Sequence, residues 1–260
     1  MKVRDLMELL ETLCPLSYAC DWDHSGLQVG RRDAEVRRVM IALDLTDAVI
    51  DAAQNGGCDF ILTHHPLLFS PLRQVTDGSV LERYILRLVE SGIACAAMHT
   101  NFDAAPGCMA DLAAARLGLM ETVPVEPVGD GGIGKVGNLP EPVSLKEFCI
   151  QVKKAFSLPF LMLYDQGDEN RKISRVGILP GSGKGEIGLA RDLGAQAYVT
   201  GDMGHHPALD AMAEGLAVLD AGHYGLEWIF IEFMEQFLRE HLPEEIEIRT
   251  MPFRLPGRVL

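Results

Sequence analysis

Short apolar runs alternate with amphipathic stretches along the first hundred residues of the chain. Residues 2–13 place apolar side chains at helical spacing and predict a first helix. Further on, apolar runs predict three strands, at Val39–Leu43, Phe60–Thr63 and Ile93–Met98. The segments between them, Thr46–Asn55 and Ser79–Glu90, have helical periodicity and are followed by glycines. Strands that alternate with helices predict βαβ units and a mostly parallel sheet.

The second half of the chain repeats this pattern. Residues Arg38–Thr63 align without gaps onto Arg175–Thr200, and a His-His-Pro triplet follows each copy, at residues 64–66 and 205–207. A repeat of about 137 residues is too long for a solenoid and indicates two similar lobes. We therefore predict an α/β fold of two similar lobes with mostly parallel sheets, in domains of residues 1–125 and 126–260. Residues 123–137 are rich in Pro and Gly and predict a linker or an irregular strand.

Two adjacent histidines, His64 and His65, end the second predicted strand, and a proline follows them. The carboxyl ends of parallel strands meet at one edge of a sheet, where ligands bind. The next strand leads to His99 and Asp103, so we expect these four residues to cluster. Neighbouring strand residues point to opposite sides, so His64 and His65 suit two different metal ions. The alternative is a histidine pair that ends the strand and bonds backbone carbonyl groups.

His223 and Glu227 are four residues apart at the start of the last long predicted helix, which places both side chains on one helix face. With His64, His65 and Asp103 they form a set of three imidazoles and two carboxylates, which suits Zn, Fe, Mn or Co. Five ligands are too many for one tetrahedral ion with an open position, whereas two ions bridged by a carboxylate fit. We therefore predict two divalent transition-metal ions and a hydrolytic function.

Composition and charge exclude several other classes of protein. The 260 residues are 48% hydrophobic and 23% charged, which is ordinary for a globular protein, and no apolar run reaches the length of a membrane span. The net charge of −14, without a long basic cluster, argues against binding to nucleic acid or to an anionic membrane. The N-terminus lacks the apolar segment of a signal peptide, and the six cysteines show no disulfide framework. We expect a cytoplasmic protein with reduced thiols.

One tryptophan lies among charged residues, in the segment Asp21-Trp22-Asp23-His24. Two interpretations are open for Trp22: the rim of a functional site, or an anchor buried in the core. Because tryptophan side chains usually pack, the buried anchor is favoured.

Four segments combine these features: Trp22-Asp23-x-x-Gly26-Leu27, Thr63-His64-His65-Pro66-Leu67-x-Phe69, His99-Thr100-Asn101-x-Asp103 and Gly222-His223-Tyr224-x-x-Glu227. Together they resemble the signatures of the Nif-three-like dinuclear metal-centre family, whose members are often named GTP cyclohydrolase I type 2 homologs. The resemblance spans essentially the whole chain. It implies two α/β lobes with a di-metal site in the cleft between them, and a homohexamer of toroidal shape. It also implies that the ligands are His64, His65, Asp103, His223 and Glu227.

Two classes of function follow for these residues. The first is a metal-dependent hydrolase that resembles GTP cyclohydrolase I type 2 and acts on a small nucleotide-type substrate. Its candidate catalytic residues are Glu227, His99 and His206, although His99 also suits a structural role. The second is a metal-binding protein without enzymatic activity, with a regulatory or scaffold role. Turnover that depends on Glu227 would distinguish the two.

Overall fold

The computed structural model describes residues 1–257, which fall into two compact units. The first unit comprises Met1–Phe102 and Phe230–Phe253, and the second comprises Asp103–Ile229 with the segment that begins at Arg254. The predicted domains, residues 1–125 and 126–260, stay a prediction. The C-terminal segment Phe230–Phe253 belongs to the same unit as the N-terminal part of the chain.

In the described residues, the first unit contains a five-stranded sheet with the order β1-β4-β3-β2-β11. Its strands are β1 (Gly26–Val29), β2 (Arg38–Ala42), β3 (Phe60–Thr63), β4 (Ala94–Ala97) and β11 (Glu247–Thr250). The helices are α1 (Val3–Leu13), α2 (Asp47–Gly56), α3 (Val80–Ser91) and, apart from its first residue, α10 (Ile229–His241). Three of the four strand pairings are parallel, and β1 pairs antiparallel with β4. This sheet matches the predicted alternation of strands and helices.

Local signals in the sequence explain where the helices of the first unit begin and end. The hydroxyl groups of Thr46 and Ser79 accept hydrogen bonds from the first turns of α2 and α3. Gly57 and Gly92 end these helices in the left-handed conformation, with φ of 62° and 68°. Every residue of β3 is buried, as expected for a strand covered on both faces.

Within residues 1–257, the second unit contains a six-stranded sheet with the order β5-β6-β8-β9-β10-β7. Its strands are β5 (Met120–Val128), β6 (Gly131–Ser144), β7 (Met162–Tyr164), β8 (Lys172–Ile178), β9 (Ala197–Thr200) and β10 (Ala217–Asp220). The helices are α5 (Met109–Arg116), α6 (Leu145–Ala155), α7 (Ile187–Asp192), α8 (His205–Ala213) and α9 (His223–Glu227), and α4 (Thr100–Ala104) is divided between the units. The pairing is mixed, with two parallel and three antiparallel pairs. The α/β fold with two sheets is thereby confirmed.

Of the two interpretations of residues 123–137, the linker is wrong and the strand is confirmed, with a register shift between Met120 and Val123. These residues lie in an antiparallel hairpin of β5 and β6, in which Pro124 pairs with Lys135 and Pro127 with Gly132. Because β5 forms an edge of its sheet, its prolines need no N–H group for a second neighbouring strand. The prolines and glycines of this segment therefore mark an edge hairpin.

The repeat found in the sequence also appears in the backbone hydrogen bonds of the two units. Each copy forms a parallel βαβ unit, β2-α2-β3 in the first and β8-α7-β9 in the second. The Asp59 amide bonds the Arg38 carbonyl oxygen over 3.0 Å, and the Gln196 amide bonds that of Arg175 over 2.9 Å. The glycine that ends each helix, Gly57 or Gly194, has a positive φ. In the described part of the chain, no helix is both long enough and apolar enough to cross a membrane.

Candidate metal centre

His64 and His65 directly follow β3 and stay attached to the neighbouring strand. The His64 amide donates to the Ala42 carbonyl oxygen over 3.3 Å, and the His65 amide donates to that of Leu43 over 3.0 Å. The Thr63 hydroxyl group donates to the carbonyl oxygen of His65 over 2.8 Å. The backbone of the pair therefore continues the register of the sheet. This fixes the backbone positions from which both imidazole side chains extend.

The Nδ1 atoms of both imidazoles face acceptor oxygens. His64 Nδ1 lies 2.7 Å from the carbonyl oxygen of Met98, and His65 Nδ1 lies 3.0 Å from Oδ1 of Asp44. A carbonyl oxygen accepts hydrogen bonds, so Nδ1 of His64 carries the proton and, in the neutral ring, Nε2 carries the lone pair. The alternative prediction is that the histidine pair bonds backbone carbonyl groups. It holds for one nitrogen of His64, the Nδ1 atom. It leaves the other nitrogen chemically suited to a metal ion.

His99 joins the two histidines within the first unit. Its ring centroid lies 5.4 Å from that of His64 and 5.5 Å from that of His65. Its Nδ1 atom donates to Oδ1 of Asp23 over 2.9 Å. Of the four residues predicted to cluster, His64, His65 and His99 do so at the ends of β3 and β4, and the place of Asp103 in the cluster stays a prediction. Each of these three rings has its Nδ1 atom beside an oxygen acceptor.

Asp23 belongs to the Trp22 signature segment, in which the sequence assigned it no role, and its side chain is fully buried. Besides His99, it accepts hydrogen bonds from the hydroxyl groups of Ser25 and Thr100, at 2.7 Å each, and from the Thr100 amide. Burial by itself would raise the pKa of the Asp23 carboxyl. The hydrogen bonds from His99 and Thr100 and the attraction of the His99 ring outweigh burial and hold that pKa well below its ordinary value. The carboxylate is therefore ionised and fixes the orientation of His99.

Trp22 and Phe69 are aromatic residues with exposed rings next to His99. The prediction that Trp22 is a buried anchor is wrong, because 62% of its surface is exposed, and Phe69 is 53% exposed. The Trp22 ring lies 5.9 Å from that of His99 at 74°, and the Phe69 ring lies 5.8 Å from it at 87°. The second interpretation of Trp22, the rim of a site, agrees with this position.

His223 and Glu227 occupy α9 in the second unit and contact each other. His223 Nε2 lies 3.0 Å from Oε1 of Glu227, as the four-residue spacing predicts. On the other side of the ring, Nδ1 lies 2.8 Å from Oδ2 of Asp202. Two carboxylates thus flank one imidazole. Glu227 is buried, with 3% of the residue exposed. Such a concentration of negative charge around a histidine favours a bound cation.

Gly181 gives the Glu227 carboxylate the space it occupies. A Cβ atom at Gly181 would lie 2.7 Å from Oε1 of Glu227 and 3.7 Å from Nε2 of His223. The loop of Gly181 is held in turn by Thr200, whose hydroxyl group accepts from the Gly183 amide over 2.8 Å and donates to the Gly181 carbonyl oxygen over 3.2 Å. Backbone therefore packs directly against the two candidate ligands.

Two further predicted residues lie in the second unit. Asp103 is half-buried in α4, and His206 is exposed in the first turn of α8, where its ring lies 5.2 Å from that of His205. His205 is exposed as well. The metal role of Asp103 and the catalytic role of His206 stay predictions.

Sequence reasoning missed the three carboxylates that hold the imidazoles, namely Asp23, Asp44 and Asp202. One signal was present: in the alignment of the two copies, Asp202 occupies the position of His65, directly after the equivalent strand. Asp23 belongs to the Trp22 segment, where its role depends on a contact with a residue 76 positions away.

The residues present fit a site for divalent transition-metal ions by the chemistry of their donor atoms. Imidazole nitrogens and carboxylate oxygens form the set, and this combination suits Zn, Fe, Mn or Co. Histidines that bind metals usually donate their other N–H group to a carboxylate or carbonyl oxygen. His64, His65 and His223 each have Nδ1 beside such an oxygen.

Comparisons with known proteins identify relatives that match almost the whole chain. A GTP cyclohydrolase 1 type 2 homolog from Clostridium acetobutylicum is 35% identical over 242 residues, which cover 92% of this chain and 90% of that protein. A protein of the same name from Methanocaldococcus jannaschii is 34% identical and covers 97% of this chain and 100% of its own. Among solved structures, reduced HcgD from M. jannaschii matches with a TM-score of 0.85 and 31% identity, over 97% of this chain and 98% of that one.

A hypothetical protein from Staphylococcus aureus has the same fold, with a TM-score of 0.89 and 26% identity over 100% of this chain and 99% of its own. The model of the Duf34/NIF3 (NGG1p interacting factor 3) family matches residues 1–255. These matches extend over both units and all the candidate ligands. The chain therefore belongs to the Duf34/NIF3 family.

Proposed function

We propose that the protein binds two divalent transition-metal ions and acts as a metal-dependent hydrolase on a small nucleotide-type substrate. The proposed ligands are His64 and His65 from the first unit and Asp103, His223 and Glu227 from the second. The main support is the arrangement of the three imidazoles, because each has its Nδ1 atom within 3.0 Å of an oxygen acceptor. Family membership supports the same set as a whole.

The residues around the ligands orient them for this role. The Met98 carbonyl group, Asp44 and Asp202 lie beside Nδ1 of His64, His65 and His223 respectively, so Nε2 is the nitrogen of each ring that would bind a cation. Nε2 of His223 lies 3.0 Å from Oε1 of Glu227, another proposed ligand. Gly181 lets backbone approach the Glu227 carboxylate, so that this side chain has one packed position. Two bound ions would supply Lewis acidity and lower the pKa of water at the site.

Three residues of the chain are proposed to handle substrate and protons. Asp23 keeps Nδ1 of His99 protonated, so Nε2 of the neutral ring accepts a proton or a hydrogen bond from the substrate. Glu227 is proposed to bind metal and to orient the attacking group, and the exposed His206 to exchange protons with solvent. The nucleotide-type substrate rests on the relatives, which are named GTP cyclohydrolase 1 type 2 homologs. A phosphoester would suit the same donor set.

The decisive experiment measures the metal content of natively purified protein by elemental analysis. We expect about two transition-metal ions per chain in the wild type and a large loss in His64→Ala and Glu227→Gln. His241→Ala is the matched control, because His241 is exposed and bonds its own helix at the Phe237 carbonyl oxygen. Wild-type protein that holds no metal and takes up neither Zn, Mn nor Fe would overturn the proposal.

A hydrolase assay of the same variants tests the enzymatic part. Glu227→Gln should abolish turnover of nucleotide substrates while its circular dichroism spectrum stays that of the wild type. Metal-loaded wild-type protein without turnover would favour the alternative, a metal-binding protein with a regulatory or scaffold role.

The toroidal homohexamer and the cytoplasmic location stay parts of this proposal. Light scattering coupled to size exclusion tests the assembly, for which we expect six times the mass of one chain. A mass of one or two chains at micromolar concentration would exclude the hexamer under those conditions.

A further inference from the structure

A cavity of about 300 Å³ lies in the first unit between two segments of the chain. One segment, residues 24–28, supplies His24, Leu27 and Gln28, and the other, residues 68–72, supplies Leu68, Pro71 and Leu72. The lining is mainly apolar, and its polar members His24, Gln28 and Ser70 offer hydrogen-bonding groups. A cavity of this size is at the lower end of the range for small-molecule sites.

Hydrogen bonds hold the two walls of the cavity together. Oε1 of Gln28 accepts from the Leu68 amide over 3.0 Å. The amide group of the same side chain donates to the carbonyl oxygen of His24. Because one side chain bridges both segments, the cavity is built into the folded unit.

The same two segments carry the exposed aromatic rings of the first unit that contact His99. Trp22 comes two residues before His24, and Phe69 lies between Leu68 and Ser70, which also lines the cavity. Both rings contact His99 at steep angles, with centroid distances of 5.9 and 5.8 Å. Both aromatic residues are therefore close in sequence to residues that line the cavity, and both contact His99, the proposed substrate-binding histidine.

We propose that this cavity, with Trp22 and Phe69, binds the planar heteroaromatic ring of the substrate. Exposed aromatic side chains stack on flat rings, and this contact tolerates different bases because each base has a π-face. The apolar lining disfavours a charged group inside the cavity, so a neutral ring is the matching occupant. The polar end of the ligand would then reach His99. This inference deepens the proposed function and rests on it, because only the proposed function identifies the bound ligand as a substrate.

The test measures binding of guanosine, uridine and ribose to metal-loaded protein by calorimetry. We expect both nucleosides to bind saturably and ribose to bind far more weakly. Trp22→Ala and Phe69→Ala should each weaken guanosine binding about 5- to 150-fold, the effect of losing one base–aromatic stacking contact. Phe160→Ala is the control, because Phe160 is 46% exposed and lies in the second unit. An unchanged melting temperature confirms that each variant folds.

Three results would overturn the assignment: ribose that binds as tightly as guanosine, wild type that binds neither nucleoside, or Trp22→Ala and Phe69→Ala that bind guanosine like the wild type. The metal content of the same samples separates this outcome from failure of the proposed function. Two ions per chain without nucleoside binding removes the ring site and keeps the metal centre. If the protein binds no metal but binds nucleosides, and both aromatic variants weaken that binding, the ring site is supported and the metal-dependent hydrolase is excluded.

Discussion

Nδ1 of His99 donates a 2.9 Å hydrogen bond to Oδ1 of Asp23, a carboxylate whose other oxygen accepts from Ser25 and Thr100. Asparagine at position 23 would keep the shape, lose the charge and place an amide donor against other donors. We expect Asp23→Asn to lower the free energy of unfolding by about 3 kcal/mol, as measured by urea denaturation. Asp21→Asn is the matched control, because Asp21 is an exposed neighbour, and it should change stability by less than about 0.5 kcal/mol. Equal effects of the two variants would contradict a special role for Asp23.

The pH dependence of stability offers a second test of Asp23. The hydrogen bonds in the folded state lower the pKa of Asp23 below its ordinary value of 3.8, so the folded state favours the ionised form. The resulting stability is fully present above the pKa of the unfolded chain and is lost as the pH falls towards the folded pKa. We therefore expect the difference in unfolding free energy between wild type and Asp23→Asn to be constant from about pH 5 to 7 and to shrink below about pH 4. A difference that grows on acidification would have the wrong sign.

Asp202 is expected to tune metal affinity through His223. Its Oδ2 atom lies 2.8 Å from Nδ1 of His223, and the carboxylate increases the basicity of the ring. Asp202→Asn should weaken Zn binding about 10- to 100-fold in competition with a chromophoric chelator. Asp210→Asn, an exposed change in α8 with the same loss of charge, should leave the affinity unchanged. If both variants weaken binding alike, general electrostatic attraction explains the effect.

Gly181 and Gly215 form a pair of test positions with nearly the same backbone conformation. Their φ angles are +81° and +82°, so alanine strains both, by about 1 kcal/mol. A Cβ atom at Gly181 would crowd Glu227, whereas one at Gly215 meets nothing within 4 Å. We expect both variants to lose similar stability and Gly181→Ala alone to lose metal affinity, by 10-fold or more. Calorimetric titration with Zn measures the difference, and equal affinities would show that Glu227 tolerates displacement.

Local patterns carried much of the information about the fold and the candidate ligands. Two of these patterns are the apolar run before His64 and the four-residue spacing of His223 and Glu227. Both involve residues that are close in the sequence, so both can be recognised from the periodicity of the chain. Helix ends at Gly57 and Gly92 are predictable for the same reason, because a positive φ favours glycine.

Structural features that depend on contacts between residues far apart in the sequence could not be predicted from local patterns. The prolines and glycines of residues 123–137 left a linker open beside an irregular strand. The segment lies in an edge hairpin, because an edge strand tolerates the prolines that a central strand excludes. Trp22 is exposed next to His99, 77 positions away, against the general tendency of tryptophan to pack. The partners of the histidines, Asp44 and Asp202, are defined by side-chain geometry that no spacing in the sequence reports.

Strand β11 has a consequence for how the protein is made. It pairs along β2, where Arg38 lies opposite Glu247, and these two residues are 209 positions apart. A ribosome that synthesises the chain from its N-terminus completes the continuous segment Asp103–Ile229 before it reaches β11. Until translation passes Thr250, β2 is an unprotected sheet edge on which a neighbouring nascent chain can add a strand. Asp103–Ile229, the main part of the second unit, is thus completed while the sheet of the first unit still lacks its last strand.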